Sequence, residues 1–96
     1  MKVRGHRFEL EEIERTLVAC PGVVEAVASA VEVETSTEIR AAVFTAPREG
    51  LADRIGNHCA QKLPRFVRPA RLIFLEAFPR LVSGKIDRLV VYRLLA

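Results

Sequence analysis

Two apolar runs joined by a short polar turn constrain the fold more than any other feature of this sequence. The first run, residues 23–34, is rich in valine and alanine, and both of its alternating sets of side chains are partly apolar. This pattern is typical of a strand that is covered on both faces. The second run, residues 39–45, follows a link of only residues 34–38, so the two strands are predicted to pair antiparallel.

Helical patterns flank these strands. Residues 9–20 place apolar side chains at helical spacing, and Pro21-Gly22 ends the pattern; these side chains are Leu10, Ile13, Leu17 and Cys20. Residues 51–63 repeat the pattern before Pro64, with an apolar stripe of Leu51, Ile55, Cys59 and Leu63. Both segments are therefore predicted to be helices that pack on the sheet.

The ends of the chain complete the predicted fold. Residues 70–75 form a third apolar strand, and residues 87–95 form a terminal helix predicted to face inward through Leu89, Val90 and Leu94. Residues 2–8 indicate two very short strands hinged at Gly5. The predicted fold is α+β: a small three-stranded mixed sheet with helices packed on it, preceded by a short N-terminal β-hairpin. Residues 1–96 are predicted to form one domain.

The segment PRLVSGKIDR, residues 79–88 and hereafter the lysine loop, is the strongest candidate for chemistry. Gly84 allows a tight turn that brings the backbone close to a ligand. Lys85 follows it as a compact cation on a flexible stem, suited to a phosphate or carboxylate oxygen. The segment is not a P-loop, because no glycine lies five residues before Gly84 and Ile86 replaces the hydroxyl that would hold magnesium. From these residues alone, a simple glycine turn with a solvated lysine is the favoured interpretation, because short motifs often match by chance.

The charge distribution favours an anionic partner for the C-terminal third. The net charge is +3, but residues 1–61 hold seven Lys/Arg and ten Asp/Glu, whereas residues 62–96 hold eight Lys/Arg and two Asp/Glu. A nucleotide, coenzyme A or an acidic protein fits this asymmetry. Nucleic acid is disfavoured, because Tyr92 is the only tyrosine and no nucleic-acid-binding signature is present.

The remaining sequence signals indicate a cytoplasmic protein without a membrane span. No secretion-signal pattern follows Met1, and no apolar run approaches the roughly 20 residues that cross a bilayer. Cys20 and Cys59 are predicted to be buried free thiols, because they fall on the apolar sides of helices. His6 and His58 have no spacing that suggests a metal site, and His58 is interpreted as a surface or packing residue.

Four segments together resemble the AMP-forming adenylating enzymes, which include acyl-CoA synthetases, luciferases and the adenylation domains of nonribosomal peptide synthetases. KVRGHRFELEEIE at residues 2–14 is similar to the family's hairpin motif, K-I-R-G-x-R-I-E-L-x-E-I-E. The lysine loop resembles its closing motif, P-x-T-x-[SN]-G-K-[VI]-D-R. Between them, CPGV at residues 20–23 and LPRFVRPA at residues 63–70 match H-P-G-V and L-P-x-Y-M-V-P-A. The resemblance covers the whole chain, in order, and is to the family's small C-terminal lid.

The resemblance implies a role for each motif. Lys85, beside Ser83 and Gly84, would reach the active site of a large N-terminal portion during adenylation. After a rotation of the lid, Gly5 would line a tunnel for a phosphopantetheine arm, with Arg4 and Arg7 near its phosphate. ATP with Mg²⁺ would be bound mainly by the large portion, and the thioester acceptor would be a carrier protein or CoA. The 96 residues alone would then be inactive.

Departures from the motifs leave alternatives open. Leu81 stands where threonine is common, and His6 replaces a common aromatic residue. Asp87-Arg88 favours enzymes that load a carrier protein, whereas Ser83 favours acyl-CoA synthetases. A different class of function is a non-catalytic interaction or dimerisation module that keeps the lid fold. The retention of both Lys85 and Gly5 argues against that alternative.

Overall fold

The computed structural model describes residues 9–45 and 50–96, together with the backbone of residues 2–3 and 6–7. Its elements, in chain order, are β1 (Lys2–Val3), β2 (His6–Arg7), α1 (Leu10–Val18), β3 (Val23–Val33), β4 (Ser36–Thr45), α2 (Leu51–Lys62), a 3-10 turn (Arg65–Val67), β5 (Pro69–Leu75) and α3 (Arg88–Leu95). The order agrees with the predicted α+β fold.

The main sheet has the strand order β3-β4-β5. Strands β3 and β4 pair antiparallel, as predicted, with Val33 opposite Ser36. The turn between them is only Glu34-Thr35, because Glu34 adopts a left-handed φ of 55°. Strand β4 therefore begins three residues before the predicted Ile39. Strand β5 runs parallel to β4 and is reached through α2, which makes the sheet mixed.

The sheet is covered on both faces, as the first apolar run predicted for its own strand. Side chains alternate between two clusters along each strand. The cluster beneath α1 and α2 takes Ala26, Ala28, Ile39, Ala41 and Val43 from β3 and β4. The opposite cluster takes Val27 and Ala42 and joins them to Phe78, Val91 and Leu95. Helix α3 and the segment before it thus form a third layer.

Helices α1 and α2 bury the predicted stripes. Ile13, Leu17 and Cys20 are buried beneath α1 and the turn that follows it. The buried residues of α2 and its end are Leu51, Ile55, Cys59 and Leu63. Both cysteines are free thiols, as predicted. The half-buried His58 brings its Nε2 within 2.8 Å of the Thr16 carbonyl oxygen, which makes it a packing residue between the two helices.

The predicted inner face of α3 was wrong. Leu89 and Leu94 are 69% and 52% exposed, whereas Val91 and Leu95 are 0% and 1% exposed. Most residues of this helix are apolar, so hydrophobicity alone does not select a face. The rotation of the helix is instead consistent with the polar contacts at its first turn, where Arg88 reaches Glu14 and Asp87 caps the helix.

A separate two-stranded sheet lies at the N-terminal end. Strands β1 and β2 pair antiparallel, with Lys2 opposite Arg7 and Val3 opposite His6. The short hairpin predicted there is confirmed at the backbone level. In the described part of the chain, no helix is long and apolar enough to cross a membrane.

Candidate functional site

The lysine loop folds as a miniature β-hairpin. The Leu81 N–H donates to the Lys85 carbonyl oxygen at 2.8 Å, and the Gly84 N–H donates to the Leu81 oxygen at 2.9 Å. Arg80 and Ile86 form an antiparallel bridge beyond this turn. These bonds are those of a three-residue hairpin loop closed by a glycine bulge. Gly84 has a φ of 91°, which confirms the need for glycine at this position.

The base of the lysine loop is anchored in the core. Phe78 is buried and Ile86 packs partly buried in the cluster that contains Val91 and Leu95. The Asp87 N–H donates to the Pro79 carbonyl oxygen at 2.8 Å, which joins the two ends of the loop. The tip is exposed and carries apolar side chains at Leu81 and Val82. The loop therefore presents its tip to solvent from an ordered base.

Lys85 lies at the exposed end of this hairpin. Its backbone is fixed by the bond from Leu81, and Gly84 precedes it in the left-handed region. Among the residues that the structure describes, no carboxylate forms an ion pair with its ammonium group. Lys85 is thus a solvent-exposed cation on a hydrogen-bonded turn.

Arg80 ties the first strand of the loop to β3. Its Nη2 forms an ion pair with Glu25 Oε1. Its Nη1 donates to the Gly84 carbonyl oxygen at 3.2 Å. One guanidinium group therefore links β3 to the residue immediately before Lys85.

Arg88 ties the other end of the loop to α1. Its two terminal nitrogens each lie 2.8 Å from a different oxygen of the Glu14 carboxylate. Hydrogen bonding to Glu14 raises the pKa of Arg88 above its ordinary value, and a smaller contribution from Tyr92 acts in the same direction. Burial acts in the opposite direction. The guanidinium group is therefore charged at any physiological pH.

Glu14 is the site residue that the sequence analysis missed. It is the only buried charged side chain in the described part of the chain, and it also accepts the Ala28 N–H at 2.8 Å. The periodicity of α1 gave a signal of this burial. Glu14 follows Leu10 by four residues and precedes Leu17 by three, so it lies on the apolar side of the helix. A carboxylate on the inner side of a helix indicates a buried partner.

The other predicted site residues are distributed as follows. Ser83 and Gly84 lie with Lys85 in the exposed turn. Arg4 and Gly5 lie outside the described residues, and for Arg7 the structure describes only the backbone, in β2. In the described ranges, no three His, Cys, Asp or Glu side chains come together as a metal-binding group.

The chain belongs to the family of the AMP-binding enzyme C-terminal domain, whose model matches residues 12–85. It is 35% identical over 94 residues to the L-proline–(L-prolyl-carrier protein) ligase of Pseudomonas fluorescens. The aligned region covers 97% of this chain and 19% of that protein. It is also 35% identical over 88 residues to tyrocidine synthase 1 of Brevibacillus parabrevis, covering 92% of this chain and 8% of that protein. The chain thus spans a fifth or less of these relatives.

Solved structures agree with the family assignment. A fatty acyl CoA synthetase of Mycobacterium tuberculosis has a TM-score of 0.84 and 28% identity, over 98% of this chain and 19% of that one. An anthranilate CoA ligase in complex with anthranoyl-AMP has a TM-score of 0.83 and 26% identity, over 99% of this chain and 19% of that one. The fold and the family are those of the C-terminal domain of acyl-CoA and amino-acid adenylating ligases.

Proposed function

We propose that residues 1–96 are the C-terminal lid of an ATP-dependent, AMP-forming ligase that activates a carboxylic acid or an amino acid. The observation that carries this proposal is Lys85, an exposed cation on an ordered glycine turn, within a chain of this family. A cation with no carboxylate partner among the described residues, on a hydrogen-bonded turn, suits the stabilisation of charge that develops in a transition state.

In the first half-reaction, a carboxylate oxygen attacks the α-phosphorus of ATP and pyrophosphate leaves. Two anions meet in this step, and the ammonium group of Lys85 would stabilise the negative charge between them. It would also hold the two reactants in line. The exposed apolar tip of Leu81 and Val82 supports insertion of the loop into a cleft of a large N-terminal portion.

In the second half-reaction, a thiol sulfur attacks the acyl carbonyl carbon and AMP leaves. We assign this step to the hairpin of β1 and β2, presented after the lid rotates. Gly5 would let the backbone approach the phosphopantetheine arm of a carrier protein or CoA, with Arg4 and Arg7 near its phosphate. The name of the prolyl-carrier protein ligase supports a carrier protein, and those of the CoA ligases support CoA.

The test measures the two half-reactions separately in the assembled ligase. Lys85→Ala is expected to slow adenylation by about 100- to 1000-fold, the range for loss of one transition-state donor. It should leave thioester formation from preformed acyl-adenylate unchanged. Gly5→Leu is expected to do the reverse, because a side chain there blocks the thiol path.

Lys62→Ala is the matched control, since it removes the same charge from an exposed position in α2. It should leave both half-reactions unchanged. Normal adenylation in Lys85→Ala would contradict the catalytic role and favour the non-catalytic interaction module. Equal loss of both steps in both variants would mean that the substitutions only undock or unfold the lid.

A further inference from the structure

Two ion pairs hold the lysine loop, one at each end. Arg80 contacts Glu25 on β3, and Arg88 contacts Glu14 on α1. We infer that Glu14 is a positioning residue for adenylation, which acts through Arg88 to fix where Lys85 stands. This inference rests on the proposed function of Lys85.

The Glu14 contact is suited to fixing a position. Both carboxylate oxygens bind Arg88 at 2.8 Å, and Oε2 also accepts the Ala28 N–H. A bidentate pair fixes the orientation of both groups as well as their separation. The Glu14 side chain is only 10% exposed, so the carboxylate is held within the fold, whereas the Arg88 side chain is 45% exposed and meets solvent on its other side.

The short chain between Arg88 and Lys85 transmits this position. Three residue steps span at most about 11 Å, and here the Asp87 N–H is also bonded to Pro79. Arg88 is held to Glu14 of α1, and α1 packs on β3. The start of α3 and the end of the lysine loop, which lie on the opposite face of the sheet, are therefore tied to the same strand. Arg80 holds the other strand of the loop to β3 itself.

The pairs also decide which cation is available. The lysine loop carries three, and Arg80 and Arg88 are each neutralised by a carboxylate. Of these three, only Lys85 has no carboxylate partner among the described residues. Glu14 therefore keeps Arg88 from competing with Lys85 for an anionic reactant.

Glu14→Gln is the variant that tests this inference. The amide keeps an oxygen for the Ala28 N–H but removes the charge and one of the two acceptors for Arg88. In the assembled ligase we expect adenylation to fall about 10- to 100-fold, the effect of a small misplacement of a catalytic group. Thioester formation from preformed acyl-adenylate should not change. Arg88→Lys, which keeps the charge but not the bidentate geometry, should give a smaller loss.

Two controls separate positioning from general stability. Glu11→Gln makes the same substitution at an exposed position of α1 and should have no effect. In a Lys85→Ala background, Glu14→Gln should slow adenylation no further, because its effect passes through Lys85. A further loss in that background, or equal loss of both half-reactions, would overturn the inference.

Amide hydrogen exchange gives a readout that does not depend on catalysis. In the same preparations, the peptide that covers residues 79–88 should exchange faster in Glu14→Gln than in Glu11→Gln. Unchanged exchange and unchanged adenylation in Glu14→Gln would overturn the positioning role alone. Normal adenylation in Lys85→Ala would overturn the proposed function, and the exchange rates would still decide whether Glu14 orders the loop.

Discussion

At the scale of single residues, burial changes the chemistry of a thiol in this domain. Burial, with a further contribution from Cys20, raises the pKa of Cys59, while Arg68 acts in the opposite direction. The folded chain therefore keeps a proton that the unfolded chain releases at a lower pH. The contribution of this thiol to stability is complete below the usual pKa of about 8.5 and is lost as the pH rises above it.

We expect the free energy of unfolding to fall more steeply between pH 8.5 and 10 in the native sequence than in Cys59→Ala. The measurement is urea denaturation of both proteins over pH 7–10. Cys59→Ala should be the less stable of the two at pH 7, because it leaves a cavity. Parallel pH curves for the two proteins would contradict the raised pKa.

Glu14 illustrates why some residues of the candidate site could be predicted from the sequence and others could not. Lys85, Ser83 and Gly84 were predicted as candidates because their identity and order suggest a turn with a cation, and the turn is present. Glu14 belongs to a run of glutamates at the start of α1, where the favourable helix dipole explains negative charge without a partner. Its partner Arg88 lies 74 positions away, so the pair exists only in the folded chain.

At the scale of elements, the predictable parts were those with one clear apolar face. Helices α1 and α2 alternate apolar stripes with charged residues, and their buried faces were predicted correctly. Helix α3 is apolar around most of its circumference, so periodicity does not predict which face is buried. The rotation of the helix is consistent instead with the Glu14–Arg88 contact and the cap at Asp87. The β3–β4 turn was placed too long because the left-handed φ of Glu34 has no strong sequence signal.

Replacing either of two glycines with alanine should change the stability of the chain, in opposite directions. Gly84 has a φ of 91° and Gly56 lies inside α2, and a Cβ at either meets nothing within 4 Å. Gly84→Ala should destabilise the chain by about 1–2 kcal/mol through backbone strain. Gly56→Ala should stabilise it by about 0.5–1 kcal/mol, because alanine has the higher helix propensity.

Chemical denaturation of the three chains measures both effects. Since neither methyl group meets a neighbour, packing does not confound the comparison. A stabilising Gly84→Ala would show that the lysine loop does not keep its left-handed turn in solution.

At the scale of the whole molecule, the three layers place the lysine loop and α1 on the two sides of β3. The isolated chain of 96 residues should release no pyrophosphate from ATP with any acid, because it spans 19% of the prolyl ligase that it resembles. A pyrophosphate assay checks this. Addition of the large N-terminal portion in trans serves as the positive control, in which pyrophosphate should be released. The chain with Lys85→Ala should restore about 100- to 1000-fold less activity in that control. Pyrophosphate release by the chain alone would contradict the lid proposal.

Strand β3 is eleven residues long and lies at an edge of the sheet, where free backbone groups would invite a strand from another molecule. The carboxylate of Glu14 occupies the Ala28 N–H, and Arg80 brings the lysine loop to Glu25 on the same strand. The Glu14 contact that holds the lysine loop therefore also satisfies one backbone donor of this edge strand. Loss of the whole Glu14 side chain would leave the buried Ala28 N–H on this edge strand without its acceptor, so we expect Glu14→Ala to be less stable and less soluble than Glu14→Gln.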